Sequence, residues 1–238
     1  MSHRTRIKTQ KTINQIDSIE GWLSRREGIF LYRLVRSLPI NSVIVEIGSF
    51  KGKSTIWLGS SLKNKSGSIL YSIDPHVGSP EIYQEYQSVD TFPEFQKNLI
   101  RFRVKEKVKL IRKDSNTAVL DFKRKINLLF IDGSHEYHQV YEDFQNWSPK
   151  IVPGGWVVFH DATVLAGPWK VARDNLVFSD DYVDIGMLGS MIYGKYLPAN
   201  SLLVKEWRLF DHIIIYLYII FYVILRKMKN VMKRDKTG

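Results

Sequence analysis

A turn rich in glycine follows an apolar segment near residue 48, and it is the stretch best suited to bind a ligand. Residues 43–55 read VIVEIGSFKGKST, in which a β-branched run leads to an acidic residue and two glycines. Glycine permits a positive φ and lets a ligand approach the backbone, while the free N–H groups of a helix that starts there face the ligand. The sequence therefore predicts a strand, a turn and a helix from Lys53 to Leu62 around a nucleotide-sized ligand.

Three ligand-binding motifs share features with this turn, and their spacing distinguishes them. A P-loop needs four residues between its first glycine and its Gly-Lys pair, but only three separate Gly48 from Gly52. The dinucleotide motif GxGxxG needs a glycine where this chain has Phe50. The motif ExGxxxG is in register with Glu46, Gly48 and Gly52, and it makes Lys53 a helix-start residue rather than a phosphate ligand. An ordinary tight strand-to-helix turn is the alternative that stays open.

Four further apolar segments alternate with stretches of helical periodicity. This alternation predicts a doubly wound, mainly parallel sheet of the Rossmann-like α/β class. A capping box at Ser24 and Glu27 marks a helix before the first strand. A hairpin of Tyr182–Met187 with Met191–Tyr196 would add antiparallel strands at the end of the sheet. The other predicted elements are the strands Ser68–Ile73, Lys107–Arg112, Ile126–Ile131 and Trp156–Phe159, and the helices Ile19–Leu38 and Trp169–Leu176.

Acidic side chains follow the ends of these strands. Glu46, Asp74, Asp132 and Asp161 lie at the carboxyl ends of predicted strands, and Asp114 follows the third strand closely. Open α/β sheets bind their ligands at this edge. Aspartate is also a common turn and N-cap residue, but its repetition at one edge favours a binding site.

Several phrases of the sequence together resemble one enzyme family over residues 21–196. The phrases are GWLSRREGIFLYRL, VEIGSFKGKSTIWL, YSIDPH, LLFIDGSHEYHQVYEDFQNW and PGGWVVFHD, and they are similar to class I methyltransferases of the Methyltransf_24 type, which bind S-adenosylmethionine (SAM). The resemblance implies that Asp74 binds the ribose hydroxyls and that Asp114 and Ser115 lie against the adenine. The residues bordering the methionine end of SAM would be Glu46, Gly48, Ser49 and Gly52, together with Asp132.

The same resemblance implies a catalytic group of Asp132, His135, His160 and Asp161. In related catechol-type O-methyltransferases, an Asp after strand four and an acidic or amide pair after strand five hold a divalent metal. Asp132, His160 and Asp161 fall on these positions, and His135 has the spacing of the family's lysine base. The chain departs from the family at both histidines. His160 replaces an oxygen ligand, which shifts preference from Mg²⁺ towards Mn²⁺, Fe²⁺ or Zn²⁺ or removes the metal, and a histidine base is only partly protonated near neutral pH.

These residues predict transfer of a methyl group from SAM to a hydroxyl on a small molecule or sugar, with His135 taking the proton and a divalent metal assisting. The structural alternatives are that Ser134 caps the next helix while His135 and His138 only decorate it, and that His160 is a hydrogen-bond partner rather than a ligand. Two functional alternatives are a SAM-binding protein without transfer activity and a nucleotide-binding enzyme of the P-loop type.

The composition limits the class of protein. A chain of 238 residues with 44% hydrophobic content suits one core, and its lack of cysteine excludes disulfides and thiolate metal sites. Of the net charge of +11, residues 1–11 carry +4 and residues 226–238 carry +5, which leaves +2 for the body. This balance argues against a nucleic-acid-binding face. We expect a basic arm over 1–18, a methyltransferase domain over 19–205, and an apolar helix with a basic tail over 206–238.

Two segments outside the sheet carry predictions about partners. The connection from His76 to Lys105 contains Tyr83, Tyr86, Phe92 and Phe95, which suit a lid over a sugar or other ring, although Phe95, Leu99 and Phe102 also fit helix core positions. Residues 213–225 are uncharged but shorter than the roughly 20 residues that span a bilayer. With the basic tail, they predict peripheral contact with anionic lipid through 209–238, or a homodimer. The polar N-terminus lacks a secretory signal, so we expect a cytoplasmic protein at the inner face of a membrane.

Overall fold

Helices and strands alternate along the computed structural model, which describes residues 13–78 and 90–198 and, farther on, residues 216, 217, 220, 221 and 224. The strands are β1 Val43–Ile47, β2 Ile69–Ile73, β3 Val108–Ile111, β4 Ile126–Ile131, β5 Ile151–Phe159, β6 Tyr182–Leu188 and β7 Met191–Tyr196. They form one sheet in the order β3-β2-β1-β4-β5-β7-β6.

The sheet is parallel from β3 to β5, and β7 pairs antiparallel with both β5 and β6. This arrangement confirms the predicted fold class, including the C-terminal hairpin. The start of β5 is different, because the strand begins at Ile151 rather than at Trp156. Ile151 pairs with Ile126, and a shift of register between Ile126 and Leu128 accommodates the Pro-Gly-Gly sequence within the strand.

The helices that cover the sheet are α1 Arg25–Ser37, α2 Lys53–Ser61, α3 Phe92–Arg101, α4 Ser115–Asp121, α5 Tyr137–Trp147 and α6 Ala166–Ala172, and a π-helical turn over Arg173–Val177 continues the last of them. Helix α1 begins at Arg25 and not at Ile19, because Gly21 has a φ of 143° and Ser24 takes the N-cap. The predicted capping box is confirmed, since the side chains of Ser24 and Glu27 each bond the other's backbone N–H.

The core lies on both faces of the sheet, as the β-branched run in β1 predicts. Val43, Val45 and Ile47 face a cluster formed with α4, α5 and α6, while Ile44 faces a second cluster formed with α1, α2 and α3. Because successive side chains of a strand point to opposite faces, Glu46 lies on the same face as Ile44 and is completely buried.

Some predictions fall outside the described residues. They concern residues 1–12 of the basic arm, Tyr83 and Tyr86 of the aromatic connection, and most of the segment 206–238. Phe95, Leu99 and Phe102 are buried on one side of the sheet, which makes them core residues rather than parts of a lid. In the part of the chain that the structure describes, we find no helix with the length and apolar character to cross a bilayer.

Candidate active site

A cavity of about 820 Å³ opens at the carboxyl edge of the parallel strands. Its walls come from the glycine turn after β1, from the residues that follow β2, β4 and β5, and from the start of α4. The predicted site residues that line it are Gly48, Ser49, Asp74, Asp114, Ser115, Asp132, His135 and Asp161. The structure therefore brings together most of the residues that the sequence singled out.

Gly48 allows the turn after β1 to pass close to the end of β4. Its φ is 82°, and a Cβ atom at this position would lie 2.2 Å from the carbonyl oxygen of Asp132. The N–H of Gly48 donates to the carbonyl of Ile73 at 2.9 Å, and the N–H of Asp132 donates to the carbonyl of Ile47 at 2.8 Å. The turn is fixed between β2 and β4, and a side chain at position 48 would force these strands apart.

Gly52 supports the turn from behind the cavity wall. It is the N-cap of α2 with a left-handed backbone of φ 88°, and the ring of Phe95 would lie 3.1 Å from an added Cβ. Lys53 is the first residue of α2, and its Nζ donates to the carbonyl of Gly21 at 3.0 Å. The interpretation of Lys53 as a helix-start residue is confirmed.

Asp74 holds the glycine turn through its carboxylate. Its Oδ2 accepts hydrogen bonds from the N–H groups of Ser49 at 2.7 Å and Phe50 at 2.8 Å, and from the hydroxyl of Ser49 at 3.2 Å. Its Oδ1 accepts from the N–H of His76 at 2.7 Å. The carboxylate therefore already has four donors, and a ribose hydroxyl at Asp74, which stays a prediction, would take the place of the longest bond, the one from the Ser49 hydroxyl.

Glu46 lies behind the turn and does not line the cavity. Its Oε2 accepts hydrogen bonds from the hydroxyls of Thr55 at 2.6 Å and Ser72 at 3.0 Å, while its Oε1 is buried and has no hydrogen-bond partner among the described residues. Burial raises the pKa of Glu46 to about 7, although its hydroxyl partners oppose the shift. In this position Glu46 joins β1 to β2 and α2.

The cavity wall at the start of α4 contains two predicted site residues, Asp114 and Ser115, and an acidic residue from α5 that the sequence did not single out. Asp114 is exposed and is the N-cap of α4, accepting from the N–H of Thr117 at 2.8 Å. Ser115 accepts from the indole N–H of Trp147 at 2.8 Å and hydrogen-bonds the carboxyl group of Asp143. Asp143 lines the cavity, and burial raises its pKa to about 6.

Asp143 was not among the predicted residues, although the sequence carries a signal for it. It lies on the buried stripe of α5, between the apolar residues Val140, Phe144 and Trp147. An acidic residue at such a helix position requires a polar environment, which is here the cavity and Ser115.

His135 projects from the loop between β4 and α5 towards the end of β5. Its Nε2 lies 3.4 Å from Oδ2 of Asp161. Helix α5 has Glu136 as its N-cap, so the alternative in which Ser134 caps the helix is wrong; the hydroxyl of Ser134 instead accepts from the N–H of Glu136 at 3.1 Å. His135 is therefore part of the cavity wall, whereas His138 is exposed on α5.

His160 forms the centre of a buried charged cluster. Its Nδ1 lies 2.9 Å from Oδ1 of Asp132 and 3.1 Å from Oδ2 of Asp161. On the other side of the ring, Nε2 lies 3.7 Å from Oε2 of Glu27, which is also buried. Burial lowers the pKa of an imidazole, but three carboxylates outweigh it here and raise the pKa of His160 well above its usual range.

The carboxylates of this cluster differ in their electrostatics. Burial raises the pKa of Asp132, and His160 opposes this shift. Burial also acts on Asp161, but hydrogen bonds from His135 and His160 outweigh it and lower the pKa of Asp161. Asp161 is therefore the carboxylate that stays ionised between the two histidines.

The donor set of the cluster fits a divalent cation. One ligand atom from each of Asp132, His160 and Asp161 lies within 4.8 Å of the others. Nδ1 of His160 is buried and, among the residues that the structure describes, lacks a partner in hydrogen-bond geometry, although both carboxylate oxygens are close to it. Neighbouring ligands of an octahedral cation with bonds of about 2.1 Å lie about 3.0 Å apart. The distances from Nδ1 of His160 to the oxygens of Asp132 and Asp161, 2.9 Å and 3.1 Å, agree with this value. Two carboxylates and an imidazole suit Mn²⁺, Fe²⁺ or Zn²⁺ better than Mg²⁺.

Comparison with known proteins relates the chain to a protein family. Residues 45–162 match the family model described as Methyltransferase domain. The chain is 31% identical over 157 residues to the uncharacterized protein y4gI of Sinorhizobium fredii, and 32% identical over 125 residues to the uncharacterized protein R132 of Acanthamoeba polyphaga mimivirus. These alignments cover 62% and 49% of this chain, but only 16% and 50% of the two relatives.

The fold is also that of a solved methyltransferase. The O-methyltransferase TomG from Streptomyces achromogenes, solved in complex with SAM, superposes with a TM-score of 0.57 at 18% identity, and the match covers 84% of this chain and 92% of TomG. The superposition shows the fold, and the family match over residues 45–162 identifies a methyltransferase domain in the chain and confirms the resemblance to methyltransferases.

Proposed function

We propose that the chain transfers the methyl group of SAM to a hydroxyl on a small molecule or sugar. The observation that carries the proposal is the cavity itself, because the glycine turn and the pair His135 and Asp161 line one space. A glycine turn that leads into the start of a helix suits the cofactor, and a histidine beside a carboxylate suits an acceptor that must lose a proton. The family match over residues 45–162 supports the same assignment.

The proposed orientation of SAM follows the cavity wall. Gly48, Ser49 and Gly52 would form or support the methionine end, and Asp74 would bind the ribose. The adenine would lie against the start of α4, where Asp114, Ser115 and Asp143 are found. The sulfonium would then face the space between Asp132 and His135.

In this proposal, His135 takes the proton of the acceptor. SAM supplies an electrophilic methyl group, which the acceptor oxygen attacks in line with the departing sulfur. Asp161, 3.4 Å from Nε2 of His135, orients the imidazole and stabilises its protonated form. The cavity holds acceptor and cofactor together, which converts an encounter of two molecules into a step within one complex.

Asp132, His160 and Asp161 are the residues that would hold a divalent cation. Such a cation would bind the acceptor oxygen and lower the pKa of its hydroxyl. The chain's own contribution is the convergence of two carboxylate oxygens and Nδ1 of His160 at one side of the cavity.

Labelled SAM and a panel of hydroxylated acceptors test the proposed reaction. We expect labelled methyl ether from at least one sugar or phenol, and loss of product with His135→Ala while SAM still binds. Repeating the assay after exhaustive chelation tests the metal separately. A wild-type protein that binds no SAM by calorimetry would contradict the proposal.

We also propose that the C-terminal segment contacts an anionic membrane from its inner face. Tyr216 stacks on Trp169 of α6, with ring centroids 6.3 Å apart and an interplanar angle of 11°. Farther along the chain, Leu217, Phe221 and Ile224 have helical backbone and are exposed at 59%, 60% and 49%. The basic sequence 226–238 follows, and its charge of +5 complements acidic headgroups.

Vesicle sedimentation tests this contact. The full chain should bind phosphatidylserine vesicles and not phosphatidylcholine vesicles, and Phe221→Asp should weaken binding more than Tyr141→Asp, a change at an exposed position on α5. The membrane proposal would be wrong if the full chain does not bind vesicles and forms a dimer that Phe221→Asp dissociates. The partner of the C-terminal segment would then be a second copy of the chain.

A further inference from the structure

Glu27 is a buried carboxylate of α1 that faces the histidine of the charged cluster. It is 2% exposed, and its Oε2 lies 3.7 Å from Nε2 of His160. This gap is longer than a hydrogen bond, and a movement of about 0.7 Å closes it to an ordinary N–H···O distance. Among the described residues, the ion pairs that Nε2 of His160 makes are confined to Glu27.

Glu27 is itself held firmly by backbone and hydroxyl groups. Its Oε1 accepts from the N–H of Ser190 at 2.6 Å and from the Ser190 hydroxyl at 2.7 Å. Its Oε2 accepts from the N–H of Ser24 at 2.7 Å, which is half of the capping box. Gly189 passes so close that a Cβ there would lie 2.4 Å from Oε1. The carboxylate therefore has one position, and that position faces His160.

The two sides of the His160 ring have different partners. Nδ1 faces the oxygens of Asp132 and Asp161, and these two acceptors are stabilised either by the proton of a charged imidazole or by a cation that takes its place. Within the described part of the chain, the carboxylate paired with Nε2 is that of Glu27. A carboxylate beside Nε2 favours the state in which this nitrogen carries the proton, because a neutral histidine then has its lone pair on Nδ1.

We propose that Glu27 is a positioning residue that fixes the His160 ring so that Nδ1 faces the cation site between Asp132 and Asp161. The proposal rests on the cation site of the proposed function and adds an outer partner to it. Metal-bound histidines commonly donate their second N–H to a carboxylate, which fixes the ring and its tautomer. The carboxylate of Glu27 would therefore serve two purposes, because it closes the capping box of α1 and also faces the histidine of the cation site.

Manganese binding to the purified full chain tests this role, with Mn²⁺ alone as the probe in calorimetry. Glu27→Gln keeps the size of the side chain and removes its charge, and glutamine is also accepted at this position of a capping box. We expect the affinity for Mn²⁺ to fall roughly tenfold to a hundredfold, the usual effect of losing an outer partner. Affinity for S-adenosylhomocysteine should stay within about threefold, because Glu27 does not line the cavity.

Ser24→Ala is the matched control. It removes the hydroxyl that accepts from the N–H of Glu27 and weakens the start of α1, but it leaves the carboxylate beside His160. This variant should bind Mn²⁺ with wild-type affinity. In ¹⁵N spectra of the Zn²⁺-loaded wild type, His160 should show a protonated Nε2, and this signal should weaken in Glu27→Gln.

The outcomes separate this proposal from the proposed function. Equal Mn²⁺ affinity in wild type and Glu27→Gln overturns the positioning role, as does an equal loss in Ser24→Ala. A wild-type chain that binds S-adenosylhomocysteine but no Mn²⁺, Fe²⁺ or Zn²⁺ overturns the cation site and leaves the methyltransferase assignment intact.

Discussion

The two ends of the cavity are built from different materials. At the glycine turn, backbone groups make the wall, and the carboxylate of Asp74 binds three N–H groups. At the other end, side chains make the site, because the carboxylate of Asp161 contacts the imidazoles of both His135 and His160. Substitutions at the glycine turn should therefore change cofactor affinity through backbone geometry, and substitutions at the histidine end should change kcat through the loss of functional groups.

The largest effect should come from a side chain that prevents the close contact between the glycine turn and the end of β4. In Gly48→Ala, the added Cβ lies 2.2 Å from the carbonyl oxygen of Asp132. We expect the affinity for S-adenosylhomocysteine to fall about a thousandfold or more, because relieving this contact moves the turn or β4. Calorimetry gives the affinity, and circular dichroism establishes that the variant is folded.

Gly154→Ala is the control for backbone strain. Gly154 has the same φ of 82°, but nothing lies within 4 Å of an added Cβ. This variant should lose about 1 kcal/mol of stability and keep its affinity for the ligand. Equal effects of the two substitutions would show that φ, and not the close approach, explains Gly48.

The second effect concerns the chemical end. His135→Ala should lower kcat roughly a hundredfold to ten-thousandfold, the contribution of a general base, while the affinity for SAM changes less than about threefold. His138→Ala removes an exposed histidine three residues away and should leave both quantities unchanged. Retention of more than half of the wild-type kcat in His135→Ala would remove the base from the mechanism.

A smaller effect should follow from loosening the clamp on the turn. Asp74→Asn retains the shape of the side chain, but its amide nitrogen cannot accept hydrogen bonds from backbone N–H groups. We expect SAM affinity to fall about tenfold to a hundredfold, with kcat at saturating SAM changed much less. A variant with unaltered affinity would show that the turn keeps its position without Asp74.

The smallest effect should depend on pH. The folded chain holds the proton of Glu46 more tightly than the unfolded chain, because the pKa rises from 4.5 to about 7. Stability from this proton is present below pH 4.5 and is lost as pH rises through about 7. Glu46→Gln removes that loss, so the variant should gain about 1 to 2 kcal/mol relative to wild type at pH 8.5, and little at pH 4.5. Thermal unfolding of both proteins at the two pH values measures the difference, and a gain of the same size at both would contradict the shifted pKa.

The sequence predicts the first end of the cavity better than the second. The β-branched run, Glu46 and the two glycines lie within a few positions, so the spacing alone predicts strand, turn and helix. Asp161 follows from its place after β5, whereas His135 follows from the resemblance to the methyltransferases, in which a base has its spacing. The pairing of His160 with Glu27 could not be predicted, because the two residues are 133 positions apart in the sequence. The capping box is also a sufficient reason for a glutamate at position 27.

Element bounds show the same limit on a smaller scale. Hydrophobic periodicity extends helix α1 to Ile19, but the backbone of Gly21, with its φ of 143°, is not helical. The Pro-Gly-Gly sequence predicts a turn before β5, whereas pairing of Ile151 with Ile126 draws it into the strand. In both cases a contact or a backbone angle set by the fold prevails over the local pattern.

Calorimetric titration with S-adenosylhomocysteine tests the central claim most directly when wild type, Gly48→Ala and His135→Ala are compared. We predict one ligand per chain, with equal affinity for wild type and His135→Ala and no measurable binding to Gly48→Ala. Absence of binding to the wild type, or a loss in His135→Ala as large as that in Gly48→Ala, would contradict the division of the cavity into a cofactor end and a chemical end.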